Sequence, residues 1–291
     1  MIKEAAMRAT LLLLILLVTS LPAQQPRPVA ISGKAGLRSG TVLREKREIL
    51  VEKGTSTLQQ ASGEKRSVST RWLLRHNLMR RVQGTGAEEI EVREHTFEET
   101  QFALNGPAPA SQETRGALNG VTLLARQRGG GWNFDLKDRK PAERQNAAIL
   151  DLQFFANVME IVPAALGTQT RRPGETWKPA IPAPRGKAYG LPVFKDVEAT
   201  FGSIEERDDG PHAKLFISGS FTMEQPMNTV SRLEITFAIA LTRRLSDLLD
   251  VETEIKGTYK DSIQTRLDDG KTGFIFHDYP YVVKRTISIE K

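Results

Sequence analysis

The chain has no cysteine among its 291 residues. That excludes disulfide stapling and also the lipidated cysteine of a lipoprotein anchor, so stability has to come from packing. Histidine is scarce: His76, His95, His212 and His277 are scattered without HExxH spacing. The nearest metal-like pattern, His95-x-x-Glu98, lies in strand-like sequence, where residues three apart point to opposite faces. No Gly-x-Ser-x-Gly elbow occurs, since Ser218-Gly219-Ser220 falls inside an alternating strand pattern. Gly84-Thr85-Gly86 lacks the third glycine and the following helix of a phosphate loop and reads as a hairpin turn. After residue 18 no apolar run approaches the roughly 20 residues that cross a bilayer. The formal net charge of +6 is spread along the chain, too diffuse to indicate nucleic acid. The sequence therefore indicates no catalytic residue, no metal ligands and no cofactor.

What remains is enough to build a core, with 39% hydrophobic and 26% charged residues. Met1–Ala23 has the three parts of a secretory signal: Lys3 and Arg8, the apolar run Leu11–Val18, and small-residue closure at Ser20-Leu21-Pro22-Ala23. Cleavage after Ala23 would leave an exported chain, periplasmic or extracellular, with no transmembrane anchor. Residues 24–40 are rich in Pro, Gly, Ala and Ser without apolar periodicity and read as a flexible leader, so a single β-rich domain is expected over 41–291.

Within that domain the pattern predicts strands over 41–137, one helix over 141–165, a proline-rich crossover over 166–192 and strands again over 193–291. The longest early alternation sets Val68, Thr70, Trp72, Leu74, His76, Leu78 and Val82 against Ser67, Ser69, Arg71, Arg75, Asn77 and Arg81. The next strand, led by Ile90 and Val92, slips before Phe97, which suggests a bulge or the end of pairing. Residues 105–116 read as a loop, and Gly129-Gly130-Gly131 as the reversal between Val121–Ala125 and Trp132–Leu136. Pro141 suits a first helical position, Asn146, Gln153, Asn157 and Glu160 form one polar stripe, and Pro163 is expected to end the helix. Later strands alternate cleanly, above all Leu233, Ile235, Phe237, Ile239 and Leu241, with polar residues between them, as in antiparallel sheets wetted on one face. Asp208-Asp209-Gly210 and Asp268-Asp269-Gly270 fit turns. The expected fold is mainly β (α+β): a large curved antiparallel sheet or half-barrel around one central apolar helix.

The order Pro173-Gly174-Glu175-Thr176-Trp177, then a proline-rich stretch and long strands, resembles secreted bacterial β-rich domains of unknown function that carry a Gly-Asp/Glu-x-Trp motif. One helix with a large curved sheet is also similar, in architecture alone, to periplasmic lipoprotein-carrier and lipid-binding half-barrels. That likeness implies an apolar cavity between helix and sheet. The residues placed to line it are Leu150, Phe154, Phe155 and Val158 on the helix with Trp72 and Phe237 on strands, while Gly174 and Trp177 would form a structural latch. The functional expectation is a non-enzymatic binding protein for a lipid or other apolar ligand, or for a hydrophobic segment of a partner. The alternative is a cell-envelope structural or interaction domain that has no pocket and meets another envelope protein. His277-Asp278 beside Tyr279-Pro280-Tyr281 mixes imidazole, acid and phenol, but reads as a loop with no visible nucleophile.

Overall fold

The computed structural model describes residues 27–33, 36–60, 62–84, 91–105, 112–128, 131–137, 139–181, 192–227, 230–267 and 270–290. The proposed signal segment therefore lies outside the described residues, as do residues 182–191 of the crossover.

Among the described residues twelve strands form one antiparallel sheet. The first half comprises β1 (Val42–Gln59), β2 (Lys65–Gly84), β3 (Glu91–Asn105), β4 (Gln112–Arg115), β5 (Thr122–Arg128) and β6 (Gly131–Leu136). Two helices follow, α1 (Glu143–Met159) and α2 (Ile161–Leu166). The second half comprises β7 (Thr176–Trp177), β8 (Val193–Arg207), β9 (Gly210–Met227), β10 (Val230–Arg244), β11 (Asp250–Arg266) and β12 (Thr272–Ile289). The strand order is β6-β5-β3-β2-β1-β12-β11-β10-β9-β8-β7, with β4 paired to β3. Each half is a run of neighbouring hairpins, and β1 pairs with β12, Leu43 opposite Ile289, to make the halves one sheet.

Alternation explains which side of each strand is covered. In the second half Ala199, Phe201, Leu215, Ile217, Phe221, Leu233, Ile235, Phe237, Ile239, Ile255 and Val283 form one core. Phe97, Leu118, Leu123, Ala125, Trp132 and Phe134 form another in the first half, together with Ile149 of α1. A flat sheet would put β6 and β10 about 34 Å apart, seven spacings of about 4.8 Å. Trp132 on β6 and Arg243 on β10 nevertheless line the same cavity. The sheet is therefore curled, with its cores on the concave side.

Two irregularities follow from backbone chemistry. Pro280 sits within central β12 and has no N–H for β1. There β1 bulges: Val51 faces Tyr281 and Thr55 faces Asp278, so three residues oppose two. In β3 the register slips at Glu98, between the pairs Leu78–Phe97 and Asn77–Glu99, after Phe97 rather than before it, and pairing continues beyond the bulge.

The structure corrects several expectations. The single central helix is two helices broken at Glu160, α1 in contact with β6 and α2 with β8. Pro163 does not stop the helix but lies in the first turn of α2, where a missing N–H breaks no intrahelical bond. α1 is also not covered all round: Leu152, Phe155 and Val158 pack onto the two cores, while Leu150 is 47% exposed. The stretch expected as a flexible leader packs as well: Ile31 is fully buried in the core of the second half, hereafter the second core, and Val29 exchanges backbone bonds with Arg171 at 2.7 and 2.9 Å. Residues 112–115, expected as loop, pair as β4.

Candidate ligand-binding site

Between α1 and the concave face lie two adjoining cavities, of about 180 and 400 Å³. Arg47, Leu152 and Phe155 line both and form the wall between them. The guanidinium of Arg47 lies 4.7 Å from the Phe155 ring centroid, a cation–π contact that clips α1 to β1.

The larger cavity sits under the first half of α1. Its lining is mostly apolar, with Ile49, Trp72, Leu74, Leu118, Ala148, Leu152 and Phe155, and with His76 and Thr100 at its floor. The smaller cavity has apolar walls from Phe97, Trp132, Phe134, Leu152, Ala156 and Met159. Its floor carries charge: Arg47, Arg80, Arg93, Arg243 and Arg285 line it, with Asp250 and Glu160.

Register explains this floor. Thr100 (β3), His76 (β2), Arg47 (β1), Arg285 (β12) and Thr253 (β11) are successive cross-strand partners, so one polar row crosses the concave face. The neighbouring rows add Glu45, His95 and Arg80. Glu45, 1% exposed, accepts from Arg47 at 2.6 Å and pairs with Arg80. Arg243 forks onto Asp250 at 2.6 and 2.9 Å and donates to the carbonyls of Ile31 and Gly33, which fastens the N-terminal segment. Trp132 donates its indole N–H to Glu160 at 2.9 Å, and Arg285 donates to the Thr253 hydroxyl at 3.0 Å.

Burial governs the protonation of these groups. It pushes Arg47 and Arg285 down to about 10, for Arg285 with like charges adding and Asp250 opposing. Burial, with Arg47 nearby, pushes His76 down to about 3. Burial among Arg80, Arg93 and Arg47 holds His95 well below the usual imidazole range. Both imidazoles are neutral at pH 7, and each meets a ring edge-on at 5.4 Å, His76 on Phe97 and His95 on Phe134.

Of the residues read from sequence, the structure brings Phe155 and Trp72 to this site. Val158 packs against the second core, and Phe237 lies within it, 6.5 Å from the rings of Phe194 and Phe221. Leu150 faces outward, and the Phe154 side chain lies outside the described residues. Gly174 takes φ +85°, in the left-handed region that glycine tolerates, and its N–H bonds to the Phe201 carbonyl. Trp177 donates to the Ala165 carbonyl at 2.9 Å and lies under Arg171 at 4.5 Å, so this turn joins α2 to β8. The arginine floor was missed because β1 carries charge at both parities: Arg44, Lys46 and Glu48 alternate with Glu45 and Arg47. The surviving signal was Leu43, Ile49 and Val51 on one parity, which marks the inward face and therefore places Glu45 and Arg47 inside.

His277 and Asp278 do not converge. Asp278 pairs with Lys260 at 3.2 Å, while His277 Nδ1 bonds to Asp261 at 2.6 Å. Ser56 is the register partner of His277, but its hydroxyl bonds to the Tyr279 phenol at 2.7 Å. His95 and Glu98 also separate, the carboxylate of Glu98 pairing with Arg44 at the surface.

No protein-family model and no curated protein sequence matches the chain. A solved structure titled "Lipid-protein interactions in lipovitellin" is similar over 87% of this chain and 25% of that one, with 8% identity and a TM-score of 0.36. The chain spans about a quarter of that neighbour's length, a likeness too distant to fix fold or ligand. Among the described residues no helix is long and apolar enough to cross a membrane.

Proposed function

We propose that this is an exported, non-enzymatic binding protein that holds an apolar ligand between α1 and the curled sheet. The observation that carries the reading is the pair of adjoining cavities beneath α1, whose walls include Trp72, Leu74, Leu152, Phe155 and Met159. Volumes of a few hundred Å³ with mainly apolar walls and a few placed polar groups are the usual shape of a small-molecule site. The secretory features of residues 1–23 support export.

The test is native mass spectrometry and organic extraction of the purified chain, with a Leu152→Trp variant to fill the shared wall. A co-purifying apolar molecule, or saturable uptake of a fluorescent fatty-acid probe that Leu152→Trp abolishes, is the expected result. Failure of the wild-type chain to retain or take up any such molecule would overturn the reading.

The alternative, an envelope interaction domain, has one specific observation in its favour. Phe274 and Phe276 lie 6.4 Å apart and are 40% and 41% exposed on β12. A Phe274→Ser, Phe276→Ser variant that loses a partner while keeping lipid uptake would favour it.

A further inference from the structure

An apolar chain needs no charged floor, yet the smaller cavity has one. Arg47, Arg80, Arg93, Arg243 and Arg285 are gathered there against Glu45, Glu160 and Asp250. Three of those interactions are internal: Asp250 is engaged by Arg243, Glu45 lies between Arg47 and Arg80, and Glu160 accepts the Trp132 indole N–H. The positive groups exceed the negative ones in a place where water is scarce and charge is poorly screened.

The hydrogen-bonding groups are also incomplete. Among the described residues, Arg47 Nε, Arg285 Nε and His95 Nε2 are buried without a hydrogen-bond partner. The Arg47 side chain is 9% exposed and His95 7% exposed, so bulk water does not serve them freely. An ordered water could accept from such N–H groups but would leave the excess charge in place. An oxyanion answers both, because guanidinium forks match carboxylate and phosphate oxygens in shape and sign.

We propose that the smaller cavity seats an oxyanion headgroup, carboxylate or phosphate, carried on an apolar chain that runs past Phe155 into the larger cavity. The ligand is then an anionic amphiphile, held head-down on Arg47 and Arg285 with its tail beside Trp72 and Leu74. This rests on the apolar-ligand reading above and names the polar end of that ligand. Scale agrees with the division: about 180 Å³ is of the order of the roughly 150 Å³ engineered cavity that takes one benzene, room for a headgroup but not a long chain. The larger space of about 400 Å³ lies on the apolar side of the Arg47–Phe155 wall.

The experiment uses the full delipidated chain and three probes: hexadecanoate, hexadecan-1-ol with the same chain and no charge, and inorganic phosphate with no chain. Affinities are read by displacement of a neutral fluorescent probe and by calorimetry, on wild type and on Arg285→Gln and Arg47→Gln. Circular dichroism checks that each variant is folded. The acid should bind about ten-fold or more tightly than the alcohol, and that gap should close in Arg285→Gln. Added salt should weaken the acid more than the alcohol. Equal affinity for acid and alcohol overturns the headgroup site while leaving the apolar-ligand reading intact. Binding of phosphate without hexadecanoate overturns the amphiphile, leaving a free-anion site. Binding of neither lipid removes both readings. A folded Arg285→Gln that loses acid and alcohol in equal measure shows that Arg285 only shapes the fold, and overturns the assignment.

Discussion

Lowering the pH from 7 to 5 should destabilise this protein before any carboxylate takes part. His76, 4% exposed, faces Arg47 across β1 and Thr100 across β3, and its imidazole is pushed down to about 3 by burial. His95, 7% exposed, is held well below the usual range by burial among Arg80, Arg93 and Arg47. In the unfolded chain both titrate near 6.5. A folded pKa below the unfolded one means that the unfolded state takes up protons first. The stability is therefore complete above about pH 6.5 and is lost as pH falls toward the folded value, about 3 for His76. The slope is at most about 1.4 kcal/mol per pH unit per histidine, which gives about 2 kcal/mol each, and about 4 kcal/mol together, by pH 5. Glu252, lowered to about 2 chiefly by its bond to Arg207, contributes its own loss only below about pH 4.5 and stays out of this window. Urea unfolding at half-unit steps between pH 7 and 5 measures the slope directly, and a loss of that size moves the midpoint by about 1 M or more. His76→Gln, whose amide can still meet Thr100, should remove about half of the pH dependence, and the double variant with His95→Gln most of it. A flat profile in the wild type, or a full slope surviving in a folded double variant, would refute the buried, neutral placement of these rings.

Other perturbations test other joints of the fold. Arg243→Ala removes a fork that ties Asp250 to the carbonyls of Ile31 and Gly33; it should cost about 3–5 kcal/mol in urea unfolding and speed proteolysis near residue 31. Gly257→Ala would place a Cβ 1.9 Å from the Thr236 carbonyl oxygen and against the Tyr281 hydroxyl, so a loss of about 2–3 kcal/mol is expected in the same assay. Trp177→Ala removes the indole bond to Ala165 and the stack on Arg171; because the ring is only partly buried, the cost should sit near the low end for tryptophan, about 3 kcal/mol, and a variant that unfolds like the parent would show that the turn is not a latch.

The second half of the chain was legible because its inward positions are almost all apolar. Leu233, Ile235, Phe237, Ile239 and Leu241 alternate with polar residues, and all five are buried in the structure. The first half was harder because its concave face is partly charged. In β2, Arg80 takes an inward position between Leu78 and Val82, and in β1 charges occupy both faces, so hydrophobic period alone hides the polar row. Ile31 was invisible for another reason: one apolar residue among Pro, Gly and Ser carries no period, and its burial depends on a partner, Arg243, more than two hundred residues away. The break at Glu160 was not legible, since Ile161 and Val162 continue the apolar run into the same core that Val158 and Met159 meet. Phe155 and Trp72 reached the site because large apolar side chains near the helix centre and on a long strand have few other places to go. Phe237 was as apolar as they are, and only the register shows that it is surrounded by Phe194 and Phe221 instead.

The pairing of β1 with β12 also sets an order of events. All other long strand pairs join segments close in sequence, whereas Leu43 meets Ile289 only after almost the whole domain has been made. Closing so long a loop carries a large entropic cost before any bond along that line repays it, and non-local pairing slows folding. During synthesis β1 thus has β2 on one side and a bare edge on the other, exposing the backbone groups that later meet β12. The middle of the finished sheet is for that interval its most adhesive margin. The charges on both faces of β1, so unhelpful for reading the strand, are suited to keeping such an edge from pairing with another chain while it waits.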